Sequence, residues 1–409
     1  MEKNWAGNVI YRATAFHYPR SLAELRHMTA KAGRARALGT RHAFNELADT
    51  GGELVCLARM PRLVEVDSEA RQVKVGGGMR YAEFTEDLDA KGFALPNLAS
   101  LPHISVAGAT ATATHGSGSG NGSLSTSVAG LEIVTADGDV VALRRGDEDF
   151  DGAVVNLGVL GIVSSLTLDL VPAFEVSQSV HEGLPLDSDI LAVLDGAYSV
   201  SLFTDWSGDT INQVWVKHRT GDLEFVPDGT TRADGPRHPV PGMATRNCTR
   251  QLGVPGRSAD RLPHFRPEFT PSAGDELQTE FMVARDDAVA ALRAVDEIRE
   301  RVHPVLQISE IRAVAADRLW LSPYYERDTV CIHFTWIADA AAVMPVVDLV
   351  GERLAQFSAR PHWAKVFTTT PEVLRSRYTR LQDFADLASR LDPAGKFTNE
   401  LTQRLLSPT

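Results

Sequence analysis

The chain has 409 residues, of which 44% are hydrophobic and 23% are charged. This length exceeds what a single hydrophobic core accommodates and predicts two or three domains. The net charge of -12 argues against nucleic acid or an anionic membrane surface as a general partner, because both carry negative charge themselves.

The N-terminus and the cysteines argue against a secreted, membrane-spanning or disulfide-rich protein. Residues 1–5 lack the basic and apolar stretches of a signal peptide, and no run of about 20 apolar residues predicts a membrane span. Cys56, Cys248 and Cys331 are far apart and odd in number, which disfavours a disulfide framework or a zinc site. We therefore expect a cytoplasmic protein without a metal centre. The sequence does not fix the oligomeric state, for which a monomer is our expectation.

The first 170 residues predict a mixture of helices and strands. Ser21 and Glu24 have the spacing of a capping box at the start of a helix. Residues 131–143 alternate between apolar and polar around an Asp-Gly pair, which is the pattern of a β-hairpin. A further strand over residues 162–170 stops at Pro172, which we take as a domain boundary.

The second half of the chain differs in composition and in the spacing of its apolar residues. Residues 220–275 are rich in proline, glycine and polar residues and predict long connections. Beyond them, the apolar periodicity predicts a strand, a helix, two strands, a helix and a final strand. This is the split β-α-β-β-α-β order of a ferredoxin-like sheet. In chain order the elements cover residues 277–284, 287–302, 305–314 and 329–337, a helix that runs to about 357, and 361–368.

Three loops of the first half are dense in glycine and other small residues, namely 38–45, 105–122 and 158–163. Small side chains let a backbone approach a phosphate closely, and successive N–H groups can form an anion-binding nest. None of the loops has the G-x-G-x-x-G spacing after a strand, so a nicotinamide-binding Rossmann domain is not expected. Taken singly, each loop is more simply explained as an ordinary surface connection.

Two predicted strands carry polar residues at alternate positions. Glu310 and Arg312 share one face of the first strand. On the second strand, His333 and Thr335 share one face, and Ile, Phe and Trp residues occupy the other. Neighbouring strands would bring these four groups together, and Lys365 would join them from a third strand. A solvated face with a weak ion pair is the alternative. The apolar opposite faces favour a buried sheet, and this mixture of charges and donors suits a polyol.

Four segments together resemble the vanillyl-alcohol-oxidase class of FAD-linked oxidoreductases, and most closely its sugar-alcohol branch, the alditol oxidases. The resemblance runs in order along nearly the whole chain, which makes it more specific than any single motif. It is carried by RALGTRHAFNELAD (36–49), LPNLASLPHISVAGATATATHGSGSGNGSLS (95–125), GVLGIVSSLTLDL (158–170) and LDPAGKFTN (391–399).

This resemblance implies that the cofactor is FAD and that it is attached covalently through His42. Arg41 precedes this histidine, where many members of the class have a small residue. The other residues that the resemblance places around FAD are Gly39, Thr40, Arg41, Ala43, Phe44, Ser105, Gly108, Thr112, Ala113, Thr114, His115, Val163 and, near the flavin ring, His362.

The implied fold class is α+β, in the form of a two-domain flavoprotein. Residues 1–172 would form an FAD-binding α+β domain. Residues 173–378 would form a substrate-binding domain, built on an antiparallel sheet with covering helices, and residues 379–409 would return to the FAD-binding domain. We expect the active site at the interface, where such pockets are common.

In alditol oxidases and the related aldonolactone oxidases, Glu-x-Arg and His-Trp-x-Lys segments like those here face the flavin. Carried over, Arg312 and Lys365 would hold the reacting oxygen, and Glu310 would anchor a neighbouring hydroxyl. His333 is a candidate proton acceptor, although the sequence leaves open which residue is the base. The residues implied to contact substrate are Ser100, Glu310, Arg312, Thr335 and Lys365.

The implied reaction is the oxidation of the terminal primary alcohol of an alditol, of the xylitol or sorbitol type, to an aldehyde. Dioxygen would accept the electrons and become hydrogen peroxide. An aldonolactone oxidase, or a flavin dehydrogenase that uses another electron acceptor, remains an alternative with a similar fold. A flavin- or sugar-binding protein without turnover is a third, which the full set of polar residues disfavours.

Overall fold

The computed structural model describes residues 2–268 and 275–406. The part up to Pro172 combines short strands with short helices. The strands are β1 (Ala15–His17), β2 (Ala35–Ala37), β3 (Glu53–Val55), β4 (Val64–Asp67), β5 (Gln72–Gly76), β6 (Phe93–Ala94), β7 (Val128–Val134), β8 (Val140–Arg144), β9 (Ile162–Asp169) and β10 (Val171–Pro172), and the helices are α1 (Leu22–Lys31), α2 (Thr85–Ala90), α3 (Val106–Ala111) and α4 (Phe150–Val154).

Five of these strands form an antiparallel sheet in the order β4-β5-β9-β7-β8, and a small parallel sheet has the order β1-β3-β2. The predicted capped helix, the hairpin and the strand over residues 162–170 are confirmed. The Ser21 hydroxyl caps α1 by accepting from the Glu24 N–H at 3.2 Å. The hairpin is β7 and β8, and its turn contains Gly138 at φ +80°, a backbone region that favours glycine.

The rest of the chain is dominated by one large sheet and the helices that cover it. The strands are β11 (Glu175–Pro185), β12 (Ser199–Thr204), β13 (Thr210–Arg219), β14 (Thr231–Arg232), β15 (Gly256–Arg257), β16 (Glu276–Ala284), β17 (Leu306–Val314), β18 (Thr329–Ile337) and β19 (Arg360–Pro361), and the helices are α5 (Ile190–Asp195), α6 (Ala288–Asp296), α7 (Arg299–Val302), α8 (Ala340–Ala355), α9 (Pro371–Arg377), α10 (Leu381–Leu391) and α11 (Glu400–Leu406).

The large sheet is antiparallel, with the order β14-β11-β13-β12-β17-β18-β16-β19 and β15 paired to β11. Its portion β17-β18-β16-β19 contains the predicted split β-α-β-β-α-β unit, because the second, third, first and fourth strands of that unit lie side by side in this order. The fold is therefore α+β with an antiparallel sheet and covering helices, as the sequence predicts.

Two predicted elements are wrong in extent. The helix over residues 287–302 is interrupted after Asp296 and resumes as α7. The last strand, predicted over residues 361–368, ends at Pro361. Beyond it the chain turns, since the Lys365 N–H donates to the His362 carbonyl at 3.1 Å, so Lys365 projects from a turn and not from a strand.

The two faces of the large sheet differ in chemistry. One face packs against α6 and α8 in an apolar core to which Phe281, Ile311 and Ile332 contribute. The opposite face, which we call the polar face, carries Glu280 and the alternate polar residues of β17 and β18, and it lies towards the first part of the chain. Because side chains alternate along a strand, one buried apolar face fixes which residues form the other.

The C-terminal segment returns to the first part of the chain. The Asn399 side-chain amide donates to the carbonyls of Glu46, Leu47 and Asp49 at 2.9–3.1 Å. Cys56, Cys248 and Cys331 are unpaired. Within the described residues, no helix combines the length and the apolar character needed to span a bilayer.

Candidate active site

A cavity of about 320 Å³ lies between the glycine-rich loops and the polar face. Ala113 is the one predicted residue that does not line it, because its side chain is buried in the hydrophobic core. The structure therefore brings the two predicted sets, one on loops and one on strands, to one cavity. The predicted residues that line this cavity are Gly39, Thr40, Arg41, His42, Ala43, Phe44, Ser100, Ser105, Gly108, Thr112, Thr114, His115, Val163, Glu310, Arg312, His333, Thr335, His362 and Lys365.

The loop over residues 39–43 leaves a row of backbone donors unused. Its five N–H groups have no hydrogen-bond partner in the described part of the chain, whereas the neighbouring N–H groups of Leu38 and Phe44 donate to carbonyls. Arg41 has φ +66°, a left-handed conformation that is uncommon outside glycine. Free N–H groups in such a turn form an anion-binding nest, so the loop fits the pyrophosphate of FAD.

Close backbone contacts explain the glycines around this nest. A Cβ on Gly39 would lie 2.5 Å from the Ser105 hydroxyl, and one on Gly77 would lie 2.2 Å from the Val163 carbonyl oxygen. Larger residues at these positions would push apart the loops that form the wall. Residues 39–43, 105–114 and 163 thus fit an extended phosphate-containing cofactor, which is the role that the sequence implies.

His42 is enclosed at this wall. Its Nδ1 lies 3.1 Å from the Thr40 hydroxyl, and its ring stacks on Trp5 with a centroid distance of 5.3 Å. Burial, reinforced by His103, lowers the pKa of His42 to about 4. The imidazole is therefore neutral near pH 7 and has a lone pair available for bond formation.

Glu280, which the sequence reading did not single out, is at the centre of the polar face. It is 1% exposed, and its carboxylate accepts from Lys365 Nζ at 2.6 Å, from Arg312 Nη2 at 3.0 Å and from His115 Nε2 at 3.0 Å. Burial opposes ionisation, but Lys365, His115 and Arg312 together outweigh it and hold the pKa of Glu280 well below its usual value. A carboxylate followed directly by the apolar run Phe-Met-Val in the second half of β16 was the signal that could have found it.

Arg312 links this centre to the other predicted residues. Its Nη1 donates to the Ser100 hydroxyl at 3.2 Å, and its Nε lies 3.5 Å from Glu310 Oε1. Burial opposes the charge of Arg312, but Glu310 and Glu280 outweigh it and raise its pKa. The predicted convergence of β17 and β18 is confirmed, because Glu310 is the direct cross-strand partner of His333.

Lys365 and His333 form a close pair beside Glu280. Lys365 Nζ lies 2.7 Å from His333 Nδ1, and His333 Nε2 lies 3.1 Å from the Thr335 hydroxyl. Burial and the charge of Lys365 lower the pKa of His333 to about 3, so the ring is neutral. Since Lys365 is the donor to Nδ1, the remaining ring proton is on Nε2 and points to Thr335.

The whole cluster is electrically balanced. The two carboxylates, Glu280 and Glu310, face the two cations, Arg312 and Lys365, and burial lowers the pKa of the neighbouring His115 and His333. His362 lines the same cavity. Its backbone N–H donates to the backbone carbonyl of Glu280 at 3.0 Å, and burial holds the pKa of its side chain well below the usual value. A balanced, buried set of donors and acceptors suits a neutral, hydroxyl-rich ligand better than a charged one.

Comparison with known proteins agrees with this geometry. Residues 13–144 match the FAD binding domain family, and residues 275–405 match the D-arabinono-1,4-lactone oxidase family. Alditol oxidase from Streptomyces sp. is 53% identical over 408 residues, which covers 98% of both chains. The chain belongs to the alditol oxidase family. It is thus an FAD-dependent oxidoreductase.

More distant relatives of this alditol oxidase family member match it over nearly its full length. L-gulono-1,4-lactone dehydrogenase from Mycobacterium tuberculosis is 29% identical over 99% of both chains. Cholesterol oxidase from B. sterolicum superposes with a TM-score of 0.78 at 15% identity, over 99% of this chain and 96% of that one. The second likeness shows the fold alone.

The balance of the cluster predicts the effect of removing its central charge. Glu280→Gln leaves two buried cations facing one carboxylate, and an unbalanced buried charge typically costs about 3–5 kcal/mol. We expect a loss of this size in the free energy of unfolding, measured by urea denaturation of the holoprotein. Glu352→Gln, an exposed change on α8, should stay within about 0.5 kcal/mol of wild type. Equal stability of the two variants would contradict the prediction.

Proposed function

We propose that this protein is an alditol oxidase that converts the terminal primary alcohol of an alditol, such as xylitol or sorbitol, to the aldehyde. The alcohol loses two electrons and two protons, and dioxygen takes up both to form hydrogen peroxide. The observation that carries the proposal is the balanced, buried cluster of Glu280, Glu310, Arg312 and Lys365 in the same cavity as a phosphate-binding nest.

FAD supplies the oxidising chemistry when bound, because it accepts a hydride from the alcohol carbon. The chain's own contribution to cofactor binding is the nest of residues 39–43, the small residues 105–114 and Val163. The nest would hold the pyrophosphate through backbone N–H groups, so it would need no cationic side chain for this purpose.

The polar face holds the substrate. Arg312 and Lys365 donate hydrogen bonds to the reacting oxygen and stabilise the negative charge that develops on it. Glu310 accepts from a second hydroxyl, and Ser100 and Thr335 bind further hydroxyls along the chain of the alditol. Because this part of the cavity offers both donors and acceptors, a polyol pairs more of them than a simple alcohol does.

The Lys365–His333 pair takes up the hydroxyl proton. Lys365 Nζ first passes a proton to His333 Nδ1 over the 2.7 Å contact, and the amine that this leaves then takes the proton of the substrate hydroxyl. Lys365 keeps its charge, and His333 becomes an imidazolium. Glu280, whose Oε2 lies 3.8 Å from Nδ1, stabilises that cation.

His42 is the covalent attachment point for FAD. The support is its burial at the cavity wall, its neutral ring and its place within the nest loop. The same proposal includes a monomeric, cytoplasmic protein with an FAD-binding domain of residues 1–172, a substrate domain of residues 173–378 and a returning segment from 379. In support of the first boundary, the five-stranded sheet ends with Asp169 and the large sheet begins with Glu175.

An aldonolactone oxidase is the second candidate, because residues 275–405 match the D-arabinono-1,4-lactone oxidase family. Aerobic incubation with a panel of alditols and aldonolactones, with hydrogen peroxide as the readout, separates the two. We expect peroxide with xylitol or sorbitol and a much lower rate with lactones, which have fewer free hydroxyls for Glu310, Ser100 and Thr335. Peroxide from lactones alone would establish the second candidate, and flavin bleaching without peroxide would indicate a dehydrogenase.

Lys365 and Thr335 should separate chemistry from binding. Lys365→Met removes a donor to the reacting oxygen and should slow anaerobic flavin reduction about 100-fold or more, with FAD still bound. Thr335→Val, on the same wall, should raise KM with a smaller change in kcat, as expected when binding is lost uniformly. Rapid-mixing absorbance measurements test both variants. A wild-type reduction rate in Lys365→Met would show that the catalytic groups lie elsewhere.

The flavin linkage has its own test. Wild-type protein should stay yellow through acid precipitation or denaturing electrophoresis, whereas His42→Ala should bind FAD but release it on denaturation and oxidise alditols more slowly. His103→Ala is the matched control, because His103 lies nearby and its Nε2 contacts the Pro267 carbonyl at 2.8 Å. Release of FAD from denatured wild type would rule out a covalent bond.

A further inference from the structure

Two buried side chains form a hydrogen-bonded row with Glu310 and have no part in the mechanism above, although one of them, His264, also lines the cavity. His264 Nε2 lies 2.7 Å from Glu310 Oε1, and Lys217 Nζ lies 3.1 Å from His264 Nδ1. Lys217 also donates to the Leu262 carbonyl. Lys217 is 1% exposed and His264 is 4% exposed. A lysine is rarely buried so completely, because desolvation of an ammonium group is costly. The burial of Lys217 therefore needs a functional explanation.

The protonation states set the direction of each hydrogen bond. Burial opposes ionisation of Glu310, but Arg312 and His264 outweigh it and lower its pKa, so the carboxylate has no proton to give. Burial lowers the pKa of His264 to about 4, so the ring is neutral and has one N–H. That hydrogen is on Nε2, which faces the carboxylate, and Nδ1 therefore accepts from Lys217. Burial lowers the pKa of Lys217 to about 7, but the ammonium and the amine both have an N–H to donate.

The surroundings hold this row in place. Phe203 and Trp215 meet the His264 ring edge-on, with centroid distances of 5.6 Å and 5.1 Å. With Glu310 Oε1 engaged by His264 and near Arg312, Oε2 makes no hydrogen bond within the part of the chain that the structure describes. Glu310 and His264 line the cavity, whereas Lys217 does not. The row thus runs from outside the cavity to one acceptor atom on its wall.

We propose that Lys217 and His264 are positioning residues for substrate recognition: they fix the Glu310 carboxylate so that Oε2 accepts a hydrogen bond from a hydroxyl other than the reacting one. Lys217 sets the tautomer of His264, and His264 sets the orientation of Glu310. The inference rests on the proposed alditol oxidation. Because the row does not include Lys365 or His333, its loss should weaken binding and leave the chemical step intact.

Anaerobic rapid mixing with xylitol measures both quantities, since the limiting rate of flavin reduction reports chemistry and its concentration dependence reports the dissociation constant. Lys217→Met and His264→Leu should raise the dissociation constant about tenfold, the usual size for one lost hydrogen bond to a charged group. The limiting rate should stay within about twofold of wild type. His264→Gln should restore most of the affinity, because its amide can donate to Glu310 and accept from Lys217.

Flavin content and melting temperature, measured for every variant, identify a merely structural role. A lower melting temperature with an unchanged dissociation constant would overturn the inference, as would His264→Gln binding xylitol as poorly as His264→Leu. If Lys217→Met does not fold, the comparison of the two His264 variants decides. If the wild-type protein oxidises alditols and the variants bind xylitol as tightly as it does, this inference alone is refuted. If no alditol reduces the wild-type flavin, the proposed function is refuted and the inference with it.

Discussion

The buried carboxylate of Glu280 is the constraint on which the active site depends. Arg312, Lys365 and His115 all donate to it, and none of them would keep its position in a buried wall if that charge were absent. Glu310 balances the second cation, so the cluster is neutral as a whole. A neutral cluster tolerates burial and still offers strong donors, which is the combination needed to stabilise an alkoxide away from water.

The fold supplies this cluster through simple geometry. The apolar face of the large sheet is covered by α6 and α8, so every second residue of β16, β17 and β18 is directed towards the glycine-rich loops. Those loops supply the phosphate nest, and the turn after β19 supplies Lys365. The site therefore forms only when two separate parts of the chain meet, and Arg312 makes one of those contacts directly by donating to Ser100.

Much of this could be predicted from the sequence, because the apolar periodicity of strands and helices is a local signal. The capped helix, the hairpin and the order of the last sheet are all confirmed. The prediction of a strand through Lys365 was wrong. A turn that is closed by backbone hydrogen bonds does not produce a recognisable pattern of side chains. Glu280 and His264 were missed for a different reason: their roles come from partners distant in sequence, and His264 lies in a segment without periodicity.

The central claim is that this cluster keeps fixed charges, with His333 neutral, through the pH range in which a free histidine titrates. The most direct test is the pH dependence of anaerobic flavin reduction by saturating xylitol. Because burial and Lys365 lower the pKa of His333 to about 3, the limiting rate should be level between about pH 5.5 and 7.5. A rate that falls on the acid side with an inflection near pH 6.5, and that loses this inflection in His333→Gln, would contradict the claim.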